Sequence, residues 1–323
     1  MTATTECPSG VAHGDHVVDV GVVVVTFNSS DVIESLLESL PSALDGVPSS
    51  RVTIVDNGSG DDTVAIVRRA APWASVVELG ANLGFAAGIN AGLRRSLPRA
   101  AVMVLNPDTR PGPGSIKRLL QTVESDARIG LAVPRLVGTD GELSHSLRRE
   151  PTILRALGEA VVGGRRASRI PLLGETIGSE SHYVDGADAA WATGAAVLIA
   201  RRVVDAVGPW TEDFFLYSEE TDYALRARDA GFQLRYVAAA EVVHRGGDLN
   251  RSPWLWSLRA VNRVRLYRRR HGAFKSAFYW LAAILNEGLR AASGSATHRA
   301  ALRALLVGHE QVKADDRPSG KRR

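Results

Sequence analysis

Val20-Gly-Val-Val-Val-Val-Thr-Phe27, followed at once by Asn28-Ser-Ser-Asp31, decides the fold. An unbroken β-branched run closed by helix-capping residues predicts a strand buried on both faces that feeds a helix capped by Ser or Asp. Ile33, Leu36, Leu37 and Leu40 keep helical spacing, and Pro41 is expected to end that helix. The pattern repeats downstream. Strands are predicted at 51–56, 76–79 and 101–105, with a helix after the Asn57-Gly-Ser-Gly-Asp-Asp62 turn and another over 84–97. Strands alternating with helices imply a parallel sheet with right-handed crossovers, whose ligands bind beyond the carboxyl ends of the strands. Thr26, Asp56 and Asp108 fall at such ends.

Further along, 158–182 is rich in Gly, Ser and Arg and is expected to be a mobile loop. Strands at 194–200 and 232–237 flank a helix over 214–230, and Arg- and aromatic-rich helices are expected over 253–291. The apolar run Ala277–Leu285 is far short of the ~20 residues that span a bilayer.

The chain has 323 residues, 45% hydrophobic and 23% charged, which excludes collagenous, low-complexity and wholly disordered classes. A single cysteine, Cys7, excludes a disulfide framework and a Cys-rich zinc site and fits a reducing compartment. The polar N-terminus has no apolar core, so no signal peptide is expected and the chain reads as cytoplasmic. The net charge of +4 hides an asymmetry: residues 1–240 carry 22 Lys and Arg against 29 Asp and Glu, and residues 241–323 carry 17 against 6. A basic C-terminal quarter on an acidic body suggests an anionic partner, membrane surface or nucleic acid; a solvated basic helix face explains it equally well. The expected organisation is a flexible tail (1–18), a main domain (19–250), a basic and aromatic helical extension (251–310) and a disordered tail (311–323).

Several segments carry groups suited to chemistry. Asp56 is placed to accept from a base or ribose, or merely to form the Asn-Gly turn that follows. Gly84, Gly88 and Gly92 line one helical face. Glycine costs about 1 kcal/mol per helical position, so the stripe asks for close packing on the sheet or close approach of a ligand. It is not the Gly-x-Gly-x-x-Gly of dinucleotide enzymes, and no P-loop exists. Asn106-Pro-Asp108 puts oxygen donors at a strand end, suited to Mg²⁺ or Mn²⁺ carrying a diphosphate, or to a plain turn. Glu219, Glu220 and Asp222 crowd the start of a helix after Phe214-Phe-Leu-Tyr217. They either favour the helix dipole or face a partly apolar cleft, where a raised pKa suits a general base. His244 sits just beyond the last predicted strand.

Together these residues resemble glycosyltransferase family 2, the inverting enzymes with a GT-A fold. The resemblance runs from Val20 to His244 through Val-Val-Thr-Phe-Asn (24–28), Val-Asp-Asn-Gly-Ser (55–59), Asn-x-Gly-(x)₃-Gly-x-Asn-x-Gly (82–92), Asn-Pro-Asp (106–108), Glu-Glu-x-Asp-Tyr-x-Leu-Arg (219–226) and His244. Within the family the chain is most similar to bacterial rhamnosyltransferase-type enzymes, with galactofuranosyltransferases second. The resemblance implies a Rossmann-like α/β fold, its mostly parallel central sheet carrying helices on both faces, plus a C-terminal helical basic extension. It implies Thr26, Asn28, Asp56, Asn82, Gly84, Asn106 and Asp108 as donor-binding positions and Asp108 and His244 as holders of Mg²⁺ or Mn²⁺. Glu220 is the implied base, with Glu219 able to share or exchange its role. Asn106 replaces the first Asp of the family's DxD pattern, and Glu220 stands where Asp is usual.

The implied reaction moves a sugar, rhamnose first among the candidates, from a dTDP- or UDP-linked donor to a glycan or polyprenyl-linked acceptor of the cell envelope. No nucleic-acid partner is expected. The C-terminal Arg259, Arg263 and Arg270, with Arg265, Arg268 and Arg269 between them and the aromatics Trp254, Trp256, Tyr267, Phe274, Phe278, Tyr279 and Trp280, are expected to lie on an anionic inner leaflet. Two rivals are a sugar-phosphate nucleotidyltransferase, whose Gly-rich loop after the first strand is here replaced by Phe27-Asn-Ser-Ser30, and a non-catalytic nucleic-acid binder using 251–275. The enzyme reading requires Asp56, Asp108 and Glu220 to reach the rim of a common pocket.

Overall fold

The computed structural model describes residues 17–95, 97–246 and 252–307. Cys7, most of the expected N-terminal tail and the whole tail expected over 311–323 lie outside them. Val18, assigned to that tail, is buried, and its carbonyl accepts from the Arg99 N–H (2.7 Å), so the ordered core begins there.

The first half alternates as expected: β1 (Val20–Thr26), α1 (Ile33–Ala43), β2 (Ser50–Asp56), α2 (Thr63–Ala70), β3 (Ser75–Glu78), α3 (Phe85–Arg95) and β4 (Ala101–Leu105). All seven residues of β1 are buried, because it pairs in parallel with β2 on one side and β4 on the other. α1 runs past Pro41 to Ala43, which corrects the expected stop. The proline sits in the last turns, and buried Leu36, Leu40 and Ala43 hold that end against the core. The Ser or Asp cap expected for α1 is absent: the Val32 and Ile33 N–H groups donate instead to the Ser29 carbonyl. Gly88 and Gly92 are packing glycines. A Cβ would come within 2.6 Å of Val25 Cγ1 at Gly88 and 2.7 Å of Val23 Cγ1 at Gly92, so their absence lets α3 lie directly on the sheet.

The second half is β5 (Thr109–Pro111), α4 (Ser115–Ser125), β6 (Ile129–Val137), β7 (Leu147–Arg148), α5 (Ile153–Val162), α6 (Gly164–Ala167), β8 (Asp188–Ala189), β9 (Trp191–Ala192), β10 (Ala196–Ala200), α7 (Arg201–Val207), α8 (Glu219–Asp229) and β11 (Gln233–His244). The main sheet runs β3-β2-β1-β4-β10-β6-β11-β5, with β8 beside β11. The order reverses between β1 and β4, the crevice where open α/β sheets bind ligands. The crossovers place α1 and α2 on one face and α3 on the other. β10 is antiparallel to β4 and β6, so its amino end joins the carboxyl ends of β1, β2, β4, β6 and β11 at one edge.

Sequence reading missed β6. Its Pro134 argues against a central strand, yet it pairs across from Val237, and β11 shifts register between Val237 and Glu241 to accommodate it. β11 is also longer than expected and ends on His244. The segment 158–182 is not a simple loop. Thr152 caps α5 by accepting from the Arg155 N–H (3.2 Å), and Arg149 Nη1 donates to the carbonyls of Gly174 (3.0 Å) and Thr176 (2.9 Å).

The C-terminal helices are α9 (Pro253–Ala292), broken at Gly272 (φ +73°), and α10 (Ala296–Val307). α9 packs against α5 and α10 and returns its first half to the α8 region. Several of its arginines are tied to acids of the main domain. Arg265 and Arg269 reach Asp213, Arg270 Nη2 donates to Asp229 (2.8 Å), and Arg263 pairs with Glu175 and Glu159. The expected membrane-facing basic stripe is therefore largely spent on the acidic body, which removes Arg263 and Arg270 from that role, and the expected interfacial Tyr267 and Tyr279 are buried.

Candidate active site

Three groups of side chains gather along the carboxyl edge. The first sits at the ends of β1 and β2. Asp56 is buried; its Oδ1 accepts from Thr26 Oγ1 (3.0 Å) and Ser59 Oγ (2.5 Å), and its Oδ2 from the N–H groups of Gly58 (3.1 Å) and Ser59 (2.9 Å). A carboxylate offers about four acceptor directions, and all are taken. Asn28, at φ +50°, accepts from the Gly60 N–H (2.8 Å) and donates its own N–H to Ser59 Oγ (2.9 Å). The turn after β2 is thus held from both sides. Asn57 ties it to the next loop: its Nδ2 donates to the Gly84 carbonyl (3.0 Å) and its Oδ1 accepts from the Leu83 N–H (3.0 Å). Asn82 accepts from the Gly84 N–H (3.1 Å). Gly84 has φ +96°, and a Cβ would lie 2.4 Å from the Phe215 carbonyl, which itself accepts from the Phe85 N–H (2.8 Å). The first N–H of α3 is therefore bonded to protein.

The second group lies at the ends of β4 and β11. Asn106 donates its N–H to the Ala195 carbonyl (2.9 Å) and its carbonyl accepts from Thr109 Oγ1 (2.7 Å). Asp108 Oδ2 accepts from the Gly246 N–H (3.0 Å) and stands 3.2 Å from His244 Nε2; both side chains are about one-quarter exposed. Burial pushes the Asp108 carboxyl up, but the hydrogen bond and charge of His244 and the Gly246 N–H outweigh it and hold the group below its ordinary value. No cluster of three or more His, Cys, Asp or Glu suited to a metal exists among the described residues. One carboxylate beside one imidazole, both reaching solvent, nevertheless fits a divalent ion that draws its remaining oxygens from a diphosphate and water.

The third group is the acidic start of α8. Phe215, Tyr217 and Ser218 all have positive φ (+65°, +68°, +80°), so the helix begins at Glu219 rather than at 214. Such backbone costs of order 1–3 kcal/mol per residue and persists only when its surroundings hold it. The holder is Asn262 of α9, fully buried, whose Nδ2 donates to the carbonyls of Phe214 (2.7 Å), Leu216 (2.9 Å) and Tyr217 (3.3 Å). Asp222 is occupied, accepting from Thr211 Oγ1 (2.8 Å) and Arg226 Nε (2.8 Å). Glu219 is 2% exposed, and its Oε2 has no partner among the described residues. Burial, and then the charge of Glu220, push Glu219 well above the usual carboxylate range. Burial also raises Glu220, but backbone N–H groups and the charges of Arg259 and Arg148 pull it back. Of the pair, only Glu220 has arginine charges, those of Arg259 and Arg148, that favour its ionised form.

Glu220 lines a small cavity, open to solvent, together with Arg148, Trp191, Glu159, Glu175, Arg259 and Arg263. Asp56 and Asp108 do not line it. The three groups share one edge of the sheet. They are joined through backbone, Gly84 against Phe215 and Gly194 against Glu220, where a Cβ on Gly194 would lie 3.4 Å from Glu220 Cβ. Asn262, Arg148 and Arg259 were missed as site residues. Arg259 and Arg263 were visible as a helical pair, but the burial of Asn262 and Leu266 between and beyond them, which turns that face inward, was not read.

Comparison with known proteins follows this geometry. Residues 21–171 match the model of the family described as Glycosyl transferase family 2. The chain is 30% identical over 236 residues to N-acetylglucosaminyl-diphospho-decaprenol L-rhamnosyltransferase of Mycobacterium tuberculosis, covering 69% of this chain and 75% of that relative. Among solved structures it resembles mannosyltransferase PcManGT from Pyrobaculum calidifontis, solved with GDP-Man and Mn²⁺ (TM-score 0.51, 17% identity, 92% of this chain and 83% of that one). It also resembles S. aureus TarS (TM-score 0.50, 15% identity, 90% of this chain), of whose chain it spans about half, 53%. The fold is that of the GT-A glycosyltransferases. The chain belongs to glycosyl transferase family 2 and is a nucleotide-sugar-dependent glycosyltransferase.

Proposed function

We propose that the protein transfers rhamnose, with inversion, from a dTDP- or UDP-linked donor to a hydroxyl of a polyprenyl-diphosphate-linked glycan. The likeness to the mycobacterial rhamnosyltransferase supports the sugar and the acceptor class. The Glu219–Glu220 pair carries the chemistry, because it sets half-buried Glu220 against a solvent-open cavity lined by arginines.

Glu220 takes the proton of the acceptor hydroxyl as its oxygen attacks the anomeric carbon. The new carbon–oxygen bond forms as the bond to the donor diphosphate breaks, and the nucleoside diphosphate leaves on the opposite face. Glu219, protonated, keeps negative charge from accumulating beside the base. Asp56, Asn28, Asn57 and Asn82 hold the loops that border the donor. Asp108 and His244 would hold Mg²⁺ or Mn²⁺, which would neutralise charge on the departing diphosphate.

A lipid-linked acceptor calls for contact with a membrane. No helix among the described residues is long and apolar enough to cross one. We assign that contact to the second half of α9 together with α5, which keeps the expected Phe274 and Phe278 but not the arginines of the first half. Phe274, Phe278, Leu281, Leu285 and Leu289 of α9 are exposed at helical spacing, as are Leu154, Leu157 and Val161 of the adjoining α5. Arg165, Arg166 and Arg169, exposed and without ion-pair partners among the described residues, follow directly and suit an anionic leaflet.

The test is release of nucleoside diphosphate from a panel of nucleotide-sugars, with a short-chain prenyl-diphospho-N-acetylglucosamine as acceptor. Rhamnosyl transfer from dTDP-rhamnose supports the reading. Release of pyrophosphate, or of nothing from any donor, refutes it.

A further inference from the structure

Three arginines and three glutamates line the cavity, but they are not paired one to one. Arg263 lies between Glu175 and Glu159 (3.4 Å to the latter) and answers both. Arg148 and Arg259 line the same cavity, and neither has an ion-pair partner among the described residues. Arg148 spends only Nη1, on the carbonyls of His145 and Leu147, and its guanidinium stands 5.8 Å from the Trp191 ring. Arg259 stacks 4.9 Å over Trp256. These are two flat, donor-rich forks held by backbone and indole and aimed into a space that Glu220 also faces. Guanidinium forks bind phosphate oxygens bidentately, which makes a diphosphate the best-matched ligand.

We propose that this cavity seats the diphosphate of the acceptor, gripped by Arg148 and Arg259, so that the acceptor's sugar hydroxyl is delivered to Glu220. The inference rests on the proposed acceptor class and adds where and by which residues it is recognised. It also divides the labour of the site. The leaving diphosphate of the donor belongs to the Asp108 edge, which does not line this cavity, and the acceptor's diphosphate belongs to α9 and β7. Without its first helical turns from α9 the enzyme would keep its donor edge and lose its grip on the acceptor.

The experiment uses the full chain and geranyl diphosphate as probe, titrated by calorimetry in Mg²⁺ with UDP and dTDP in parallel. Wild type should bind geranyl diphosphate, and saturating nucleoside diphosphate should not displace it. Arg259→Gln and Arg148→Gln should each weaken geranyl diphosphate at least tenfold and nucleoside diphosphates less than twofold, the latter also reporting an intact fold. Arg259→Lys, which keeps the charge but not the fork, should recover part of the loss. Displacement by nucleoside diphosphate, unchanged binding in both glutamine variants, or equal loss for both ligand types overturns the proposal. Sugar transfer is not read here, so the two proposals fail separately: a protein that binds geranyl diphosphate in this way yet turns over no donor supports the cavity assignment and refutes the transferase assignment.

Discussion

The donor edge and the α8 cavity are built from similar residues in opposite states of satisfaction. At the ends of β1 and β2, Asp56 accepts four hydrogen bonds from its own neighbourhood, and Asn28 and Asn57 are committed to loop backbone. Around α8, Glu219 keeps an oxygen unpartnered, and Arg148 and Arg259 lack carboxylate partners. Saturated groups make a rigid frame, since a buried polar atom left unpaired costs about 1–3 kcal/mol. The half-buried guanidinium groups of Arg148 and Arg259 instead leave donors open toward the cavity. The comparison separates a saturated scaffold, which we propose borders the donor, from an open wall, which we propose meets the acceptor.

Replacing the base tests the reactive side most severely. Glu220→Gln should lower kcat by about 10²–10⁴, the usual contribution of a positioned base, with donor affinity by calorimetry nearly unchanged. Near-normal turnover would erase the distinction between the two regions.

Asn262→Leu should be next in effect. It strands the carbonyls of Phe214 and Leu216 and releases the positive-φ segment, so urea unfolding should show a loss of about 2–4 kcal/mol. kcat should fall more than donor affinity, because the segment aims α8 rather than the Asp56 loop.

Asp56→Asn probes the saturated side. It removes acceptor capacity facing Thr26, Gly58 and Ser59, and should cost about 1–3 kcal/mol of stability while weakening nucleotide binding more than acceptor binding. Equal effects on the two ligands would break the division.

The acid pair makes a signed prediction in pH. Burial raises both Glu219 and Glu220 above their ordinary value of 4.5. The acid limb of kcat/KM should therefore lie above the usual carboxylate range. Arg259→Gln removes a charge that favours ionised Glu220, so it should move that limb to higher pH. For stability, a carboxyl raised in the folded state favours folding below pH 4.5 and loses that contribution as pH rises through its folded value. Glu219→Gln should consequently match wild type near pH 4 and be the more stable protein at neutral pH and above, as read by thermal melting.

The smallest effects belong to the outer face. Each of Arg165, Arg166 and Arg169, changed to Ser, should weaken binding to anionic vesicles by about 1 kcal/mol, roughly fivefold in flotation, with no change in kcat on a soluble acceptor.

Much of this frame was legible locally. The Val20–Thr26 run, the turn after Asp56 and the strand ending at Leu105 were readable because a strand buried on both faces leaves a continuous apolar signature and its end is marked by polar turn residues. The Glu219-Glu220 pair was visible as an acidic cluster after aromatics. β6 was hidden because its proline breaks the local rule, and only the register shift of β11 compensates. The ordered insert at 158–182 was hidden because its glycines serve close approach rather than mobility: a Cβ on Gly158 would lie 2.5 Å from the Leu173 carbonyl.

Sequence alone determined the β-α alternation, the family and the polar residues at the strand ends, since each is written in neighbours a few positions apart. Tertiary structure alone decided that Asp56 is filled by its own loop and that Asn262 holds a segment 48 residues away. It also decided that Arg259 and Arg263 turn inward, Arg263 to a carboxylate 88 residues distant. The reason is physical: helical periodicity says which residues share a face, but which face is buried depends on what packs against it, and that is contributed by remote parts of the chain.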